Sequence, residues 1–198
     1  MVVTVRTQTE RSEATIGKLV RAGRALFAER GFAGTSIEDI VRAAGVTRGA
    51  LYHHFADKTE LFRAVLEEEE RELVRASAEA AARKRGAWRK VEAGCDAFLD
   101  ACLDEGVQQI LVTDAPAVLG WDTVREIEFG YWLSTLTRSI EKAMAEGTLA
   151  RRPAEPLAHL IFGALCEGSY VIAGASDQRA AMHEVRGELR RLLRSLAQ

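Results

Sequence analysis

The stretch TSIEDIVRAAGVTRGALYHHF, residues 35–55, holds two short helical patterns on either side of a glycine. Thr35 and Glu38 have capping-box spacing, in which each side chain satisfies an end amide of the other. Ile37, Ile40, Val41 and Ala44 then share one face, and Gly45 ends that helix. Thr47 is placed to cap a second helix running through Leu51 and Tyr52. Two short helices joined by a tight glycine turn make a helix-turn-helix pattern. In that arrangement the second helix enters the major groove of DNA, its first residues against the base edges. Here it offers Thr47, Arg48, Tyr52 and His53, while Leu51 and Phe55 face inward. The Arg48 fork matches the O6 and N7 acceptors of guanine, and Gly49 leaves space for close approach. Lys58 and the amides opening the next helix suit a phosphate. The pattern also occurs in proteins that never touch DNA. His53 and His54 diverge by about 100° on a helix, which leaves them a surface pair without metal-ligand spacing.

Helical period continues in both directions. Upstream, Ile16, Leu19, Val20, Gly23, Leu26 and Phe27 form one stripe that stops at Gly31. Downstream, Asp57 and Glu60 repeat the capping-box spacing and open a long fourth helix, with Phe62, Val65, Leu66, Leu73, Ala76, Ser77 and Ala80 on one face. The run EEEERE, residues 67–72, reads as its solvated side, with Glu67–Arg71 and Glu79–Arg83 spaced for i, i+4 pairs. After Gly86 a fifth helix carries Trp88, Val91, Cys95, Phe98, Leu99, Cys102 and Leu103. A short piece follows around residues 107–112, and TDAPAVLGWD reads as a loop. Two long helices are expected over 122–146 and 155–175, then a last one with Met182, Val185, Leu189, Leu192, Leu193 and Leu196 on one side. No alternating β-branched run competes. The expected architecture is all-α, about nine helices. A three-helix DNA-binding domain covers 12–72, with the helix-turn-helix at 36–55, and a helical ligand-binding and dimerisation domain covers 73–198.

Composition narrows the function classes. The chain has 198 residues and a formal net charge of -2, with no global polyanion-binding signature. Up to Arg63, ten Lys and Arg face seven Asp and Glu; the remainder holds 17 against 22. A small basic head on an acidic body allows a nucleic-acid contact by the head. Three cysteines and an opening, MVVTVRTQTE, that lacks the apolar core of a leader point to the cytoplasm. The apolar segment 157–175 carries His159 and a central Glu167, and a carboxylate at mid-bilayer would cost about 2.5–3.5 kcal/mol. It therefore reads as a buried helix, not a span. No G-x-S-x-G, H-E-x-x-H or phosphate-binding glycine loop is present, and the histidines at 53, 54, 159 and 183 have no ligand spacing. No enzyme, metal or cofactor is expected. An architectural DNA-binding protein remains the rival, favoured by a solid second-half core.

GRALFAERGFAGTSIEDIVRAAGVTRGALYHHFADKTELFRAV, residues 23–65, resembles the N-terminal domain of the TetR family of bacterial transcriptional regulators. The resemblance rests on F-x-x-x-G at Phe27–Gly31, the T-S-hydrophobic-x-x-I at Thr35–Ile40, A-G-V ending at Val46 (with Val41 where the family's A-x-x-A-G-V has alanine), G-x-L-Y-x-H-F at Gly49–Phe55 and K-x-x-L at Lys58–Leu61. It implies that Arg48 and its neighbours read bases, while Thr47, Tyr52, His54 and Lys58 contact phosphates. With Thr35, Ser36, Gly49 and His53 these complete the candidate DNA contacts. Beyond residue 70 only the helical layout is similar. In that family this half binds a small molecule, and its last two long helices pair with a second subunit, so that a dimer meets a palindromic operator.

The residues of the second half allow both roles. The helix at 155–175 is apolar nearly all round, so one face needs a partner beyond its own core. Leu160, Ala164, Gly168 and Val171, with Leu189, Leu192 and Leu193, are the candidate dimer contacts. Phe98, Cys102, Trp132, Phe162 and Cys166 are the candidates for a cavity holding an apolar or amphipathic effector, against plain core packing as the alternative. Cys95, Cys102 and Cys166 are open to a thiol sensor or to simple burial.

Overall fold

The computed structural model describes residues 8–197. The opening read as leaderless lies mostly outside them. The helices are α1 (Gln8–Arg30), α2 (Ile37–Ala44), α3 (Arg48–His54), α4 (Lys58–Ala82) and α5 (Ala87–Ala101). A continuous helical run follows. It begins as α6 (Glu105–Val107), widens to π geometry over Gln108–Asp114 and returns to α as α7 (Ala115–Leu119). The chain then forms α8 (Trp121–Ala145), α9 (Ala154–Gly174) and α10 (Gln178–Leu196). With that run counted as one element, nine helices form among the described residues, and no strand. TDAPAVLGWD is helical from Ala115 to Leu119 and again from Trp121, not a loop: Gly120, at φ +77°, breaks the chain for a single residue.

Two hydrophobic clusters divide the molecule. The first, around Phe27, Ile40, Leu51, Leu61 and Phe62, belongs to α1–α4 but also includes Ile110, Ala115, Val124 and Ile127. The helical run and the start of α8 thus complete the core of the N-terminal head. The second gathers α5, the later parts of α4 and α8, α9 and α10 around Trp88, Leu99, Trp132, Phe162 and Leu165. Here α4 is the rod shared by both, with Leu61 to Leu66 in the first cluster and Leu73 in the second.

The EEEERE run is not all solvated. Glu69 and Glu70 are 4% and 1% exposed. Glu69 accepts from Arg24 Nε at 2.5 Å, and Glu70 from Trp132 Nε1 at 2.6 Å. The surface pairs of α4 are Arg63–Glu67, Glu68–Arg71 and Glu72–Arg75, in place of the expected Glu67–Arg71 and Glu79–Arg83. Helix α9 is long and apolar enough to cross a membrane. Leu157, Ile161, Phe162, Leu165, Gly168 and Ile172 are nevertheless buried in the body, and its outer face carries Glu167.

Candidate nucleic-acid interface and body cavities

The head is assembled by local caps. Ser36, not Thr35, caps α2: its Oγ accepts from Asp39 N at 3.1 Å and donates to Asp39 Oδ2 at 2.6 Å. Gly45 closes α2 in the left-handed region at φ 64°, and its N–H points back to the helix carbonyls. Thr47 Oγ1 accepts from Ala50 N at 3.1 Å and opens α3. Asp57 caps α4 through Glu60 N, while Glu60 Oε2 accepts from Ala56 N at 2.5 Å. Leu51 and Phe55 anchor α3 in the core. Its other face presents Arg48, Gly49, Tyr52 and His53 to solvent, with His54 half-buried against His53.

Arg48 is braced before any DNA arrives. Its guanidinium donates to Glu38 Oε1 at 2.7 Å and to Tyr52 Oη at 3.4 Å, and lies 5.5 Å from the Tyr52 ring centroid. These partners hold its charge firmly, raising its pKa above the ordinary arginine value through Tyr52 first and then Glu38.

Two expected contacts have other work in this structure. Thr35 is buried, and its hydroxyl is placed against Gly31 O at 2.9 Å and Leu26 O at 3.2 Å. It therefore fastens the end of α1 and lies beneath the outer face. Lys58 is half-buried and turned inward: Nζ donates to Phe32 O and Thr35 O, both at 2.8 Å, and sits 4.1 Å from the Phe32 ring centroid. Two of its three donors tie α4 to the α1–α2 turn. Ser36, Thr47, Arg48, Gly49, Tyr52 and His53 remain on the outer face.

The helical run clasps the same turn from the body side. Phe32 N donates to Asp114 Oδ2 at 2.7 Å. Gln109 Nε2 lies 3.1 Å from where a Cβ on Gly31 would stand, and Gly31 has φ +70°. Gly106 packs so closely on α1 that a Cβ there would meet Ala28 Cβ at 2.8 Å.

Two cavities in the body both border Phe162, on which Trp132 stacks with ring centroids 5.7 Å apart. The inner one, about 20 Å³, has room for about one water molecule. It is bordered by Phe98, Cys102, Phe162 and Cys166, and also by Glu70, Gln108, Leu111, Val112 and Glu128. Burial pushes the Glu70 carboxyl up to about 8 and Glu128 to about 7. Burial likewise raises the Cys95 and Cys102 thiols to about 12 and Cys166 further, away from the reactive thiolate. The wider cavity, about 310 Å³, lies between α4, α5, α8 and α9. Trp132, Phe162 and Leu165 form its buried floor; Ala78, Lys90, Thr135 and Ser139 stand at its mouth. Four of the five expected cavity residues thus surround the small acidic space, and Trp132 with Phe162 borders the larger one. The sequence reading missed Glu70, Ser77, Lys90 and Asp114. Their signals were a carboxylate inside an apolar stripe and a basic turn, both of which look like ordinary surface without the tertiary fold.

The expected dimer contacts divide. Leu160, Val171 and Leu192 are exposed at 72%, 50% and 59%, and Ala164 is half-buried. Gly168, Leu189 and Leu193 face inward. A Cβ on Gly168 would meet Val185 Cγ1 at 2.8 Å, so its smallness serves the packing of α9 on α10 within one chain.

Comparisons with known proteins agree with this geometry. Residues 19–65 match the family profile described as bacterial regulatory proteins, tetR family, and residues 88–196 match the tetracyclin repressor-like C-terminal domain. The transposon Tn10 TetC protein of Escherichia coli is 27% identical over 158 residues, 79% of each chain. CymR of Pseudomonas putida, an HTH-type transcriptional regulator, is 50% identical over 62 residues, 31% of this chain and 30% of that one. A TetR-family regulator of Pectobacterium atrosepticum superposes with a TM-score of 0.84 at 33% identity, covering 97% of this chain and 98% of its own. RolR in complex with resorcinol shares the fold at 17% identity and a TM-score of 0.70, over 94% and 96% of the two chains. With a helix-turn-helix head and a C-terminal helical domain each matched in full order, this chain belongs to the TetR family of transcriptional regulators, DNA-binding proteins and not enzymes.

Proposed function

We propose that this protein is a cytoplasmic homodimeric repressor that leaves a palindromic operator when a small molecule enters its body. The observation that carries the reading is the double attachment of the α1–α2 turn. Lys58, at the start of α4, holds it from one side, and Asp114, at the end of the π segment, holds it from the other. Both attachments continue into cavity walls: α4 through Ser77 and Ala78, the helical run through Leu111 and Val112. A ligand that binds two positions of these helices unequally changes where the head sits. In a dimer the spacing of two heads then no longer fits successive major grooves. A body with this much space favours the ligand-controlled reading over a purely architectural one.

The exposed stripe of Leu160, Gly163 and Val171 on α9, with Leu192 on α10, is the surface that a second subunit covers. The likeness to CymR, a transcriptional regulator, and to the KstR2 transcriptional repressor of Mycobacterium tuberculosis supports operator binding, and resorcinol in RolR supports an effector in the body.

Reciprocity tests the reading. An operator is selected from random DNA, and a compound that binds the body is then titrated with and without saturating operator. Tenfold weaker operator binding corresponds to about 1.4 kcal/mol of coupling, and the operator must weaken the compound by the same factor. Equal affinity in both titrations would overturn the switch.

A further inference from the structure

The wide cavity is apolar at its floor, and Lys90, at the end of a basic turn, stands at its mouth. Residues 83–90, the turn from α4 into α5, read RKRGAWRK, five cations in eight positions on a chain of net charge -2. Among the described residues none of Arg83, Lys84, Arg85, Arg89 and Lys90 joins an ion pair, whereas ten arginines elsewhere do. The nearby carboxylate of Glu146 is already engaged, accepting from Ala87 N at 2.6 Å. Lys90 is half-buried and stands at the cavity mouth with the hydroxyls of Thr135 and Ser139. Deeper in the wall, Ser77 is 7% exposed and its Oγ has no hydrogen-bond partner. A buried hydroxyl is rarely left unpaired, so this one points to a polar atom that arrives with an occupant.

We propose that the wide cavity takes a small amphipath with one anionic head, carboxylate or phosphate. Its apolar tail lies on Trp132 and Phe162, its head on Lys90 beneath the basic turn, and a polar atom near the head bonds Ser77. This rests on the reading of the body as an effector domain and adds the chemical class of the effector. An unpaired cation at a rim with low-dielectric walls, here Lys90 with the basic turn beside it, concentrates anions and repels cations. The volume, about 310 Å³, lies at the small end of ligand pockets, which run from about 300 to 1,000 Å³. Glu70, which accepts from the Trp132 indole and lines the other cavity, has its carboxyl pushed up to about 8 by burial and so puts no charge against the tail near pH 7.

The test is calorimetric titration of the full chain with octanoate, octyl phosphate, octanol and octylammonium. The two anions are expected to bind at least about tenfold more tightly than the alcohol or the amine, one charge-assisted contact being of that order. Lys90→Ala should remove that advantage and leave octanol unchanged, while Lys90→Arg should keep it. Ala78→Trp, placed at the exposed mouth, should block all four without disturbing the core. An Arg83→Ala/Lys84→Ala/Arg85→Ala variant that weakens octyl phosphate more than octanoate would assign the head to phosphate; equal loss would assign it to carboxylate. Octanol or octylammonium binding as tightly as the anions would overturn the proposal, as would no binding by any probe or a Lys90→Ala loss common to all four. Each titration is repeated with operator present. Lys90-dependent anion binding that leaves operator affinity unchanged sinks the switch but keeps the effector class. Operator release by a neutral or cationic probe, abolished by Ala78→Trp, does the reverse.

Discussion

The head and the body of this molecule use their polar side chains over different distances. In the head the caps close on helix ends three or four residues away, Ser36 on Asp39, Thr47 on Ala50, Asp57 on Glu60 and Thr35 on Gly31, while Lys58 and Arg24 reach further to tie the helices together. In the body they reach across the chain. Glu70 meets Trp132, Gln108 meets Gln178, Trp88 Nε1 donates to Leu193 O, and Arg190 forks onto Asp96. Their aromatics differ in the same way. Phe27, Phe32 and Phe62 pack edge and face within 5.7 Å of one another, whereas Trp132 and Phe162 border open space. Local closure gives a rigid reader, and long-range closure around unfilled space gives a part that can take more than one arrangement.

The largest expected effect comes from emptying the rigid part. Phe27→Ala should destabilise the protein by about 3–5 kcal/mol, since a dense core relaxes little around a hole. Phe162→Ala should lie at the low end of that range, because its neighbours already border free volume. Chemical denaturation of both variants checks the order, and a costlier Phe162→Ala would break the comparison.

Next in size, Lys58→Met should lose about 1.5–3 kcal/mol of stability, the range for hydrogen bonds from a charged group. Operator binding should weaken for every sequence, yet its salt slope should stay unchanged, because Lys58 faces two carbonyls. A slope reduced by about one unit would return Lys58 to the phosphate contacts.

Arg48→Ala should cost roughly tenfold to a hundredfold at the selected operator and relax preference at one base pair. Binding-site selection with the variant measures this, and an unchanged motif would remove Arg48 from the reading surface. Glu38→Ala, which frees Arg48 from its 2.7 Å partner, should change affinity less and in the favourable direction, through faster association.

Smallest per unit of change is a slope with pH. Glu70 titrates near 4.5 when unfolded and near 8 in the fold. Below pH 4.5 both states hold the proton, and the contribution to stability is fully present. Between about 4.5 and 8 the unfolded chain ionises first, so the fold binds the extra proton and stability falls as pH rises, by up to about 1.4 kcal/mol per unit. Glu70→Gln should flatten that decline in melts between pH 5 and 8; an equally steep decline would show that the carboxyl titrates elsewhere.

The same division explains what was legible in the sequence. The helix-turn-helix, its glycine stop at Gly45 and the Thr47 cap depend on neighbours within four residues, and local patterning contains them. The cap of α2 shifted by one residue, because Thr35 and Ser36 are equally able acceptors and only the carbonyls of Leu26 and Gly31 draw Thr35 inward. Glu69 and Glu70 looked solvated because their partners, Arg24 and Trp132, lie 45 and 62 residues away. Gly168 looked like a residue for a neighbouring subunit. Small size announces a close approach without saying whose helix approaches, and here it is α10 of the same chain.

The π segment has a consequence for chain length. An α-helix turns about 100° per residue, so it has a single phase along its whole length. The wider i→i+5 winding over Gln108–Asp114 resets that phase midway. Gln108 and Leu111 are thereby aimed at the inner cavity, while Asp114 and Ala115 are aimed at the head. Removing or adding one residue there would leave a perfectly good helix and swing Asp114 by about 100° away from Phe32. In this stretch the number of residues, more than the identity of any one of them, is what the two halves of the protein hold in common.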